Sequence, residues 1–348
     1  MSTPSVAGAL HALDSSARAL GSWLGVEGPP LLRERADILG IEPHGTVSAG
    51  GTCRLMPARD GRWVAINLAR RSDSELLAAW MESEWDGPVW DAVERALSSM
   101  SADRAVDRAQ LLGIPAAVAV AAPPASTADE SPPGHQVSRL DGTRVLDLSA
   151  LWAGPLCARL LGELGASVTK VELRGRPDGA RAGPPAFWRA LNGAKREHIV
   201  DTTAELAALL DDADVVITSA RARALEQLGL ELARRVQERA LVWVAITGYG
   251  IRGAWRDRVA FGDDAAVAGG LAVAAGGLDA PVFVGDAPAD PLSGLAAAAR
   301  AAQAVTADRG AIIDVALRDV VAGAIASQYH RPTAQPNVSQ PTARQEVA

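Results

Sequence analysis

Lysine is nearly absent from this chain: Lys170 and Lys195 are its two, and arginine carries the rest of the positive charge. Cysteine is as scarce. Cys53 and Cys157 lie too far apart for a metal or redox motif, which excludes a disulfide scaffold and suggests a reducing compartment. The five histidines, at 11, 44, 135, 198 and 330, show no ligand-like pairing, so no metal site is expected. No apolar run approaches the roughly 18 residues that a membrane span needs. The opening MSTPSVAGALHALDSS has neither the basic start nor the apolar core of a signal peptide. The expectation is a cytoplasmic protein that does not touch membrane. With a net charge of -7 there is also no basic footprint, which sets nucleic acid aside as a partner.

What the chain does have is length and apolar content, 348 residues at 48% hydrophobic, enough for about two domains. Residues 1–40 read as a helical lead-in without chemistry of its own: apolar residues recur at helical spacing over 7–24, GVEGPP at 25–30 breaks the pattern, and a second helical piece runs to Ile41. Residues 41–122 read as a small α+β domain. Its signals are a Gly-containing loop and strand over 44–56, a hairpin turn at Asp60-Gly61, a strand over 62–69, helices at 74–81, 89–98 and 102–112, and a strand at 114–121. Residues 123–140, rich in Pro and Ser, read as a linker.

From 141 to 330 apolar strands alternate with amphipathic helices. Strands are expected at 144–148, 167–172, 197–200, 214–218, 241–246 and 311–315. That alternation predicts an α/β fold, a Rossmann-like parallel sheet with right-handed crossovers. Residues 331–348 read as a disordered tail. Within the large domain, PVFVGDAPADPLSGLAAA (281–298) stands out. An apolar, strand-like piece at 282–284 enters a Gly-Asp turn and then a helix of Ala and Leu, with Asp290 at the junction. At a helix N-terminus a carboxylate is either a cap or an ionised group available for chemistry. Asp286, four residues earlier, competes for the same role.

Several stretches in this half resemble the family III (CaiB/BaiF-type) CoA-transferases. They are RVLDLSALWAGPLCARLLGELGASVTKVE (144–172), ALNGAKREHIVD (190–201), ADVVITSARARALEQLGL (213–230), ITGYG (246–250) and GAIIDVALRD (310–319). SAGGTCRLM, DGRWVAINL and LLGIPAAVAV, between 48 and 120, resemble the family's small domain, placed here before the large one. The resemblance implies a transferase that moves CoA between an acyl-CoA and a carboxylic acid, with no tightly bound cofactor and the CoA thioester as substrate. It gives Asp290, in D-P-L-S-G, as the nucleophile that forms an aspartyl-CoA intermediate. Gly50 and Gly51 correspond to a loop that shields this intermediate; read locally, they also suit a plain turn.

CoA brings phosphates, which Arg, Lys and backbone N–H groups bind. Candidate CoA-binding residues are therefore Trp152, Ala153, Gly154, Arg174, Lys195, Arg196, Ser219 and Arg221, with solvated surface charge as the alternative for each arginine. Trp152, Leu173 and Ser219-Ala220-Arg221 depart from the family's usual residues. A degenerate, non-catalytic subunit is thus one alternative. A racemase is disfavoured, because Phe261 stands where that branch has its His. The resemblance also implies a homodimer or pairing with a related subunit.

Overall fold

The structure, a computed structural model, describes residues 3–123, 137–307 and 309–329. Most of the expected linker and the whole of the 331–348 segment lie outside the described residues.

Helix α1 (Val6–Leu24) starts where the Ser5 hydroxyl accepts from Gly8 N–H and stops at Gly25, whose φ of 69° ends the helical path. Gly28-Pro29-Pro30, expected to be part of the break, instead form the first turn of α2 (Gly28–Leu39). Proline is tolerated there because that N–H has no intrahelical partner. Gly28 also lets the two helices touch, since a Cβ at this position would lie 1.9 Å from Ala17 O.

The small region is an antiparallel sheet of β1 (Cys53–Pro57), β2 (Trp63–Asn67) and β3 (Ala116–Val118), in that order. The turn at Asp60-Gly61 closes the β1–β2 hairpin, with Gly61 at φ 79°. Trp80, Val93, Leu97, Val106 and Ile114 fill its core. The helix expected over 74–81 is two short pieces, Arg71–Glu75 and Leu77–Met81.

The large region is built on β4 (Arg144–Leu148), β5 (Ser167–Leu173), β6 (Arg196–Val200), β7 (Val215–Thr218), β8 (Val242–Thr247) and β9 (Ala311–Ala316). They pair in parallel in the order β6-β5-β4-β7-β8-β9. Successive strands run outward from β4 in one direction and then, from β7, in the other. The crevice beyond the carboxyl ends of β4 and β7 is therefore the topological switch point, where open α/β sheets bind ligands. The apolar piece 282–284 forms no strand. It runs irregularly beside the 44–47 turn, where Phe283 N–H donates to Gly45 O at 2.8 Å.

Helix Ala289–Thr306 is the centre of the large core. It lies against helix Ala153–Glu163, and the approach is close because a Cβ on Gly294 would lie 2.8 Å from Ala153 O. Residues 1–40 also join this core: Ala9, Leu13, Ala17, Leu24 and Leu32 are buried in one cluster with Leu292, Leu295, Val321 and Ile325. Burial of this kind contributes about 1.5–3 kcal/mol for each leucine-sized side chain. No described helix is long and apolar enough to cross a membrane.

Candidate active site

The turn Gly285–Pro288 aims Asp290. Gly285 has φ 69°, and Ala287, which has a Cβ, is held at φ 42°. That is a strained conformation for alanine, and it persists only where surroundings enforce it. Here Ala287 N–H donates to Asp263 Oδ1 (3.1 Å), and Ala287 O accepts from Asp290 N–H (3.0 Å). The helix begins at Ala289, so Asp290 sits inside its first turn rather than at the cap, and its carboxyl caps nothing.

Asp290 keeps a partly open face, and dense protein surrounds the rest. Burial, then the fields of Asp263, Asp264 and Asp286, push its pKa up to about 7, against an opposing pull from Arg35. This reverses the expectation that the helix terminus would simply keep it ionised. Gly262 completes the fit: a Cβ there would lie 2.4 Å from Ala287 O and 2.5 Å from Asp290 Oδ2.

Two neighbouring acids come from the first turn of helix Gly262–Ala268. Asp263 is raised to about 6 by burial and by Asp286, while hydrogen bonds from Ala287 N–H and Ser48 hold it down. Asp264 is raised to about 7, chiefly by burial. Its Oδ1 accepts from Asn67 Nδ2 (2.9 Å) and Phe261 N–H (3.0 Å). Asp264 Oδ2 and Asn67 Oδ1 are both buried without a partner. Buried acceptors without a donor are costly, and burial favours the neutral acid over the carboxylate at Asp264. Asn67 ends β2, so this pair joins the small region to the large one.

Asp286 is buried at 1% exposure, and its Oδ1 accepts from Arg35 Nη1 at 2.9 Å. Arg35 belongs to α2, the segment expected to carry no chemistry. Its guanidinium lies 5.6 Å above the Trp152 ring centroid and pulls down Asp263, Asp286 and Asp290 alike. No local motif marks it. Gly50 and Gly51 form the turn ahead of β1, with Gly51 at φ 73°. The turn reaches the acids through Ser48, and a Cβ on Gly50 would lie 3.4 Å from Arg35 Nη2.

The candidate CoA-binding residues divide. Trp152, Ser219 and Arg221 lie in the connections after β4 and β7, and Ala153 and Gly154 open the helix that follows β4, all at the switch point. Trp152 turns inward, packed edge-on against Phe187 at 5.1 Å and 3% exposed. Gly154 is needed for packing, since a Cβ there would lie 2.2 Å from the Ser149 side chain. Ser219 Oγ accepts from Ala150 N–H (2.9 Å), tying the two loops together. Arg221 is exposed at the head of helix Ala222–Leu228. Arg174 is exposed and pairs with Asp201. Arg196 opens β6 and bonds Ser167 at the start of β5, on the amino edge of the sheet, away from the switch point.

Lys195 points inward. Its ammonium donates to Asp147 Oδ2 (2.8 Å), Asn192 Oδ1 (2.8 Å) and Pro155 O (2.9 Å), which uses all three of its protons. Beside it Lys170 donates to Ser149 O and to Asp178 Oδ2 (2.8 Å), while Asp178 Oδ1 accepts from Leu151 N–H (2.9 Å). This buried network supports the switch-point loop from below. At the same edge an apolar cleft is lined by Leu148, Ala150, Leu173, Thr218 and Leu228, with Arg176 at its rim. Arg176 was not among the candidates, because it sits in an irregular Gly/Pro/Arg loop whose path the sequence leaves open. Among the described residues no group of His, Cys, Asp and Glu is arranged to hold a metal.

A parallel sheet with this strand order, an apolar cleft at its switch point and a raised carboxyl at a helix start define the architecture as a doubly wound α/β protein. The profile of CoA-transferase family III matches residues 140–348, and the chain belongs to that family. It is 29% identical over 200 residues to a succinyl-CoA–D-citramalate CoA-transferase of Chloroflexus aurantiacus, covering 52% of this chain and 50% of that one. To a succinate–glutarate CoA-transferase of Agrobacterium fabrum it is 32% identical over 213 residues, 54% and 53% of the two chains. A crystal structure of a CaiB/BaiF family protein from Brucella suis overlaps it with a TM-score of 0.49 at 28% identity, covering 56% of this chain and 57% of that one. The chain spans about half the length of the curated relatives it matches.

Proposed function

We propose that the protein transfers CoA between an acyl-CoA and a free carboxylic acid, with Asp290 as the nucleophile. The observation that carries this reading is the state of Asp290: a half-buried carboxyl with a pKa near 7, held by a strained turn and not engaged as a cap. A carboxyl tuned near neutrality is a competent nucleophile at working pH and reacts through its ionised form. Asp290 Oδ attacks the thioester carbonyl, and the C–S bond breaks to give a mixed anhydride and CoA thiolate. The thiolate then attacks the Asp290 carbonyl. The anhydride C–O bond breaks, an aspartyl-CoA thioester forms and the donor acid leaves as carboxylate. An acceptor carboxylate runs the two steps in reverse.

In this reading CoA lies across the carboxyl edge of β4 and β7, with Arg176 and Arg221 nearest its phosphates and Gly50-Gly51 over the reacting atoms. The relatives are named for succinyl-CoA and for succinate, so succinyl-CoA is the first donor to try. Trp152 bears on the alternative of a non-catalytic subunit. A tryptophan filling the nucleotide cleft would favour it, but the ring packs on Phe187 and is absent from the cleft lining. That supports the enzyme. Pairing as a homodimer or with a related subunit belongs to the same reading, and mass photometry tests it.

The deciding experiment is a covalent trap. The protein is incubated with succinyl-CoA, treated with hydroxylamine and mapped by mass spectrometry beside Asp290→Asn. A hydroxamate on Asp290 that is missing from the variant supports the mechanism. Absence of an adduct with any of a panel of acyl-CoAs, together with no CoA binding by calorimetry, sinks it.

A further inference from the structure

The reacting acid is itself an anion, and to reach Asp290 it must approach the neighbouring carboxyls Asp263 and Asp286. Like charges in a partly buried site repel unless a cation is present. We propose that Arg35 is the residue that binds the carboxylate of the acid substrate; this rests on the transferase reading above.

Three features of Arg35 support the assignment. Its guanidinium is fixed at two points, by Asp286 on Nη1 at 2.9 Å and by the Trp152 ring beneath it at 5.6 Å. Its side chain is 26% exposed, so the buried Asp286 anchors a cation that is still partly open to solvent. Its Nη2 faces Gly50, the turn position where a Cβ would come within 3.4 Å, so a small residue there leaves room beside the donor edge. A guanidinium held in this way offers a planar pair of N–H groups that matches a carboxylate. The role follows from the chemistry: when the thiolate attacks the Asp290 carbonyl, the C–O bond that breaks leaves its electron pair on the departing carboxylate. Arg35 takes that charge, and presents the next carboxylate to the aspartyl-CoA thioester. Asp286 is then a positioning residue, which explains why a buried acid sits one turn from the nucleophile without reacting itself.

The test is steady-state kinetics with succinyl-CoA as donor and glutarate as acceptor. Arg35→Ala is expected to raise the KM for glutarate about 30-fold, with the KM for succinyl-CoA changed less than about threefold. Added guanidinium should restore part of the loss. Arg35→Lys, which keeps the charge but not the fork, should fall between. Because Arg35→Ala strands the buried Asp286, the double variant Arg35→Ala/Asp286→Ala is measured too, and it should show the same rise in the acid KM. Gly50→Ala should raise the acid KM by a smaller factor. If the acid KM stays at the wild-type value in both alanine variants, or kcat alone falls, Arg35 only balances charge and the assignment is overturned. That outcome is separable from failure of the transferase reading, in which the wild-type protein itself yields neither transfer nor an Asp290 adduct.

Discussion

Two buried clusters of charge among the described residues differ in their arithmetic. Beneath the switch-point loop, Asp147 and Asp178 face Lys170 and Lys195, two of each sign. Burial alone would raise Asp147, but the Lys195 and Lys170 ammonium groups, with hydrogen bonds from Lys195 and Ser149, hold it below the usual carboxylate range. Around Asp290 three carboxyls, Asp263, Asp286 and Asp290, share the pull of Arg35, with Asp264 beside them, and burial wins: Asp263 is raised to about 6, Asp264 and Asp290 to about 7. A balanced cluster locks its acids in one ionisation state and works as structure. An unbalanced one leaves them near the pH where they change state, as a reactive site requires. It is notable in this light that both lysines of the chain are spent on the balanced cluster.

The most severe way to break this contrast is Asp290→Asn. It should lower kcat by at least about 10⁴-fold, as loss of a nucleophile does, while the fold keeps or gains stability because one buried acid becomes neutral. Single-turnover transfer and a melting curve check both halves. In the other cluster the reverse holds. Lys195→Ala strands Asp147 in the core and should cost about 3–5 kcal/mol, read by urea unfolding, whatever it does to catalysis.

pH sharpens the contrast further. Asp263, Asp264 and Asp290 have folded pKa values above their unfolded value of about 3.9, so between about pH 4 and 7 the folded state holds more protons than the unfolded one. Stability from this cluster therefore falls as pH rises through that window. The melting temperature should be higher at pH 5.5 than at pH 8, by roughly 5 °C, and Asp264→Asn should flatten the difference. Transferase activity should run the other way, rising through about pH 7 as Asp290 ionises. Asp147, with its depressed pKa, contributes stability that is lost only as pH falls below the ordinary carboxylate range, outside this window. The smallest effect expected is that of Asp264→Asn on stability at pH 7, within about 1 kcal/mol of wild type, because the amide is as uncharged as the neutral acid and keeps an oxygen to accept from Asn67 and Phe261 N–H; Asp264→Ala should cost about 1–3 kcal/mol.

The sequence carried the large sheet well. Six short apolar runs between helices predict parallel strands, and the six observed pair in parallel with ends shifted by a residue or so. It marked Asp290 as a candidate because a turn, a carboxylate and a helix start fall together in one local pattern, and the fold sets that carboxyl beside Asp263 and Gly262. It misplaced the 282–284 piece, where an apolar run suggested a strand but Phe283 N–H bonds the Gly45 turn instead of a ladder. Lys195 and Gly154 looked like phosphate binders by type and position, but only the fold reveals that one faces Asp147 and the other Ser149. Arg35 was illegible for a plain reason. Its partner Asp286 lies 251 residues away, and no local periodicity reports a contact across that distance.

That separation has a kinetic consequence. Helices α1 and α2 cannot bury their apolar faces until the helices at 289–306 and 317–329 exist to receive them, and the Arg35–Asp286 pair closes a loop of most of the chain. Closing so long a loop costs entropy before it returns any contact, and folds dominated by such pairings form slowly. During synthesis the sheet has nearly all its strands before the cation reaches the acids, so the pocket is among the last features to form. Acquisition of the Arg35–Asp286 contact thus reports completed folding, and refolding followed by activity should lag refolding followed by sheet content.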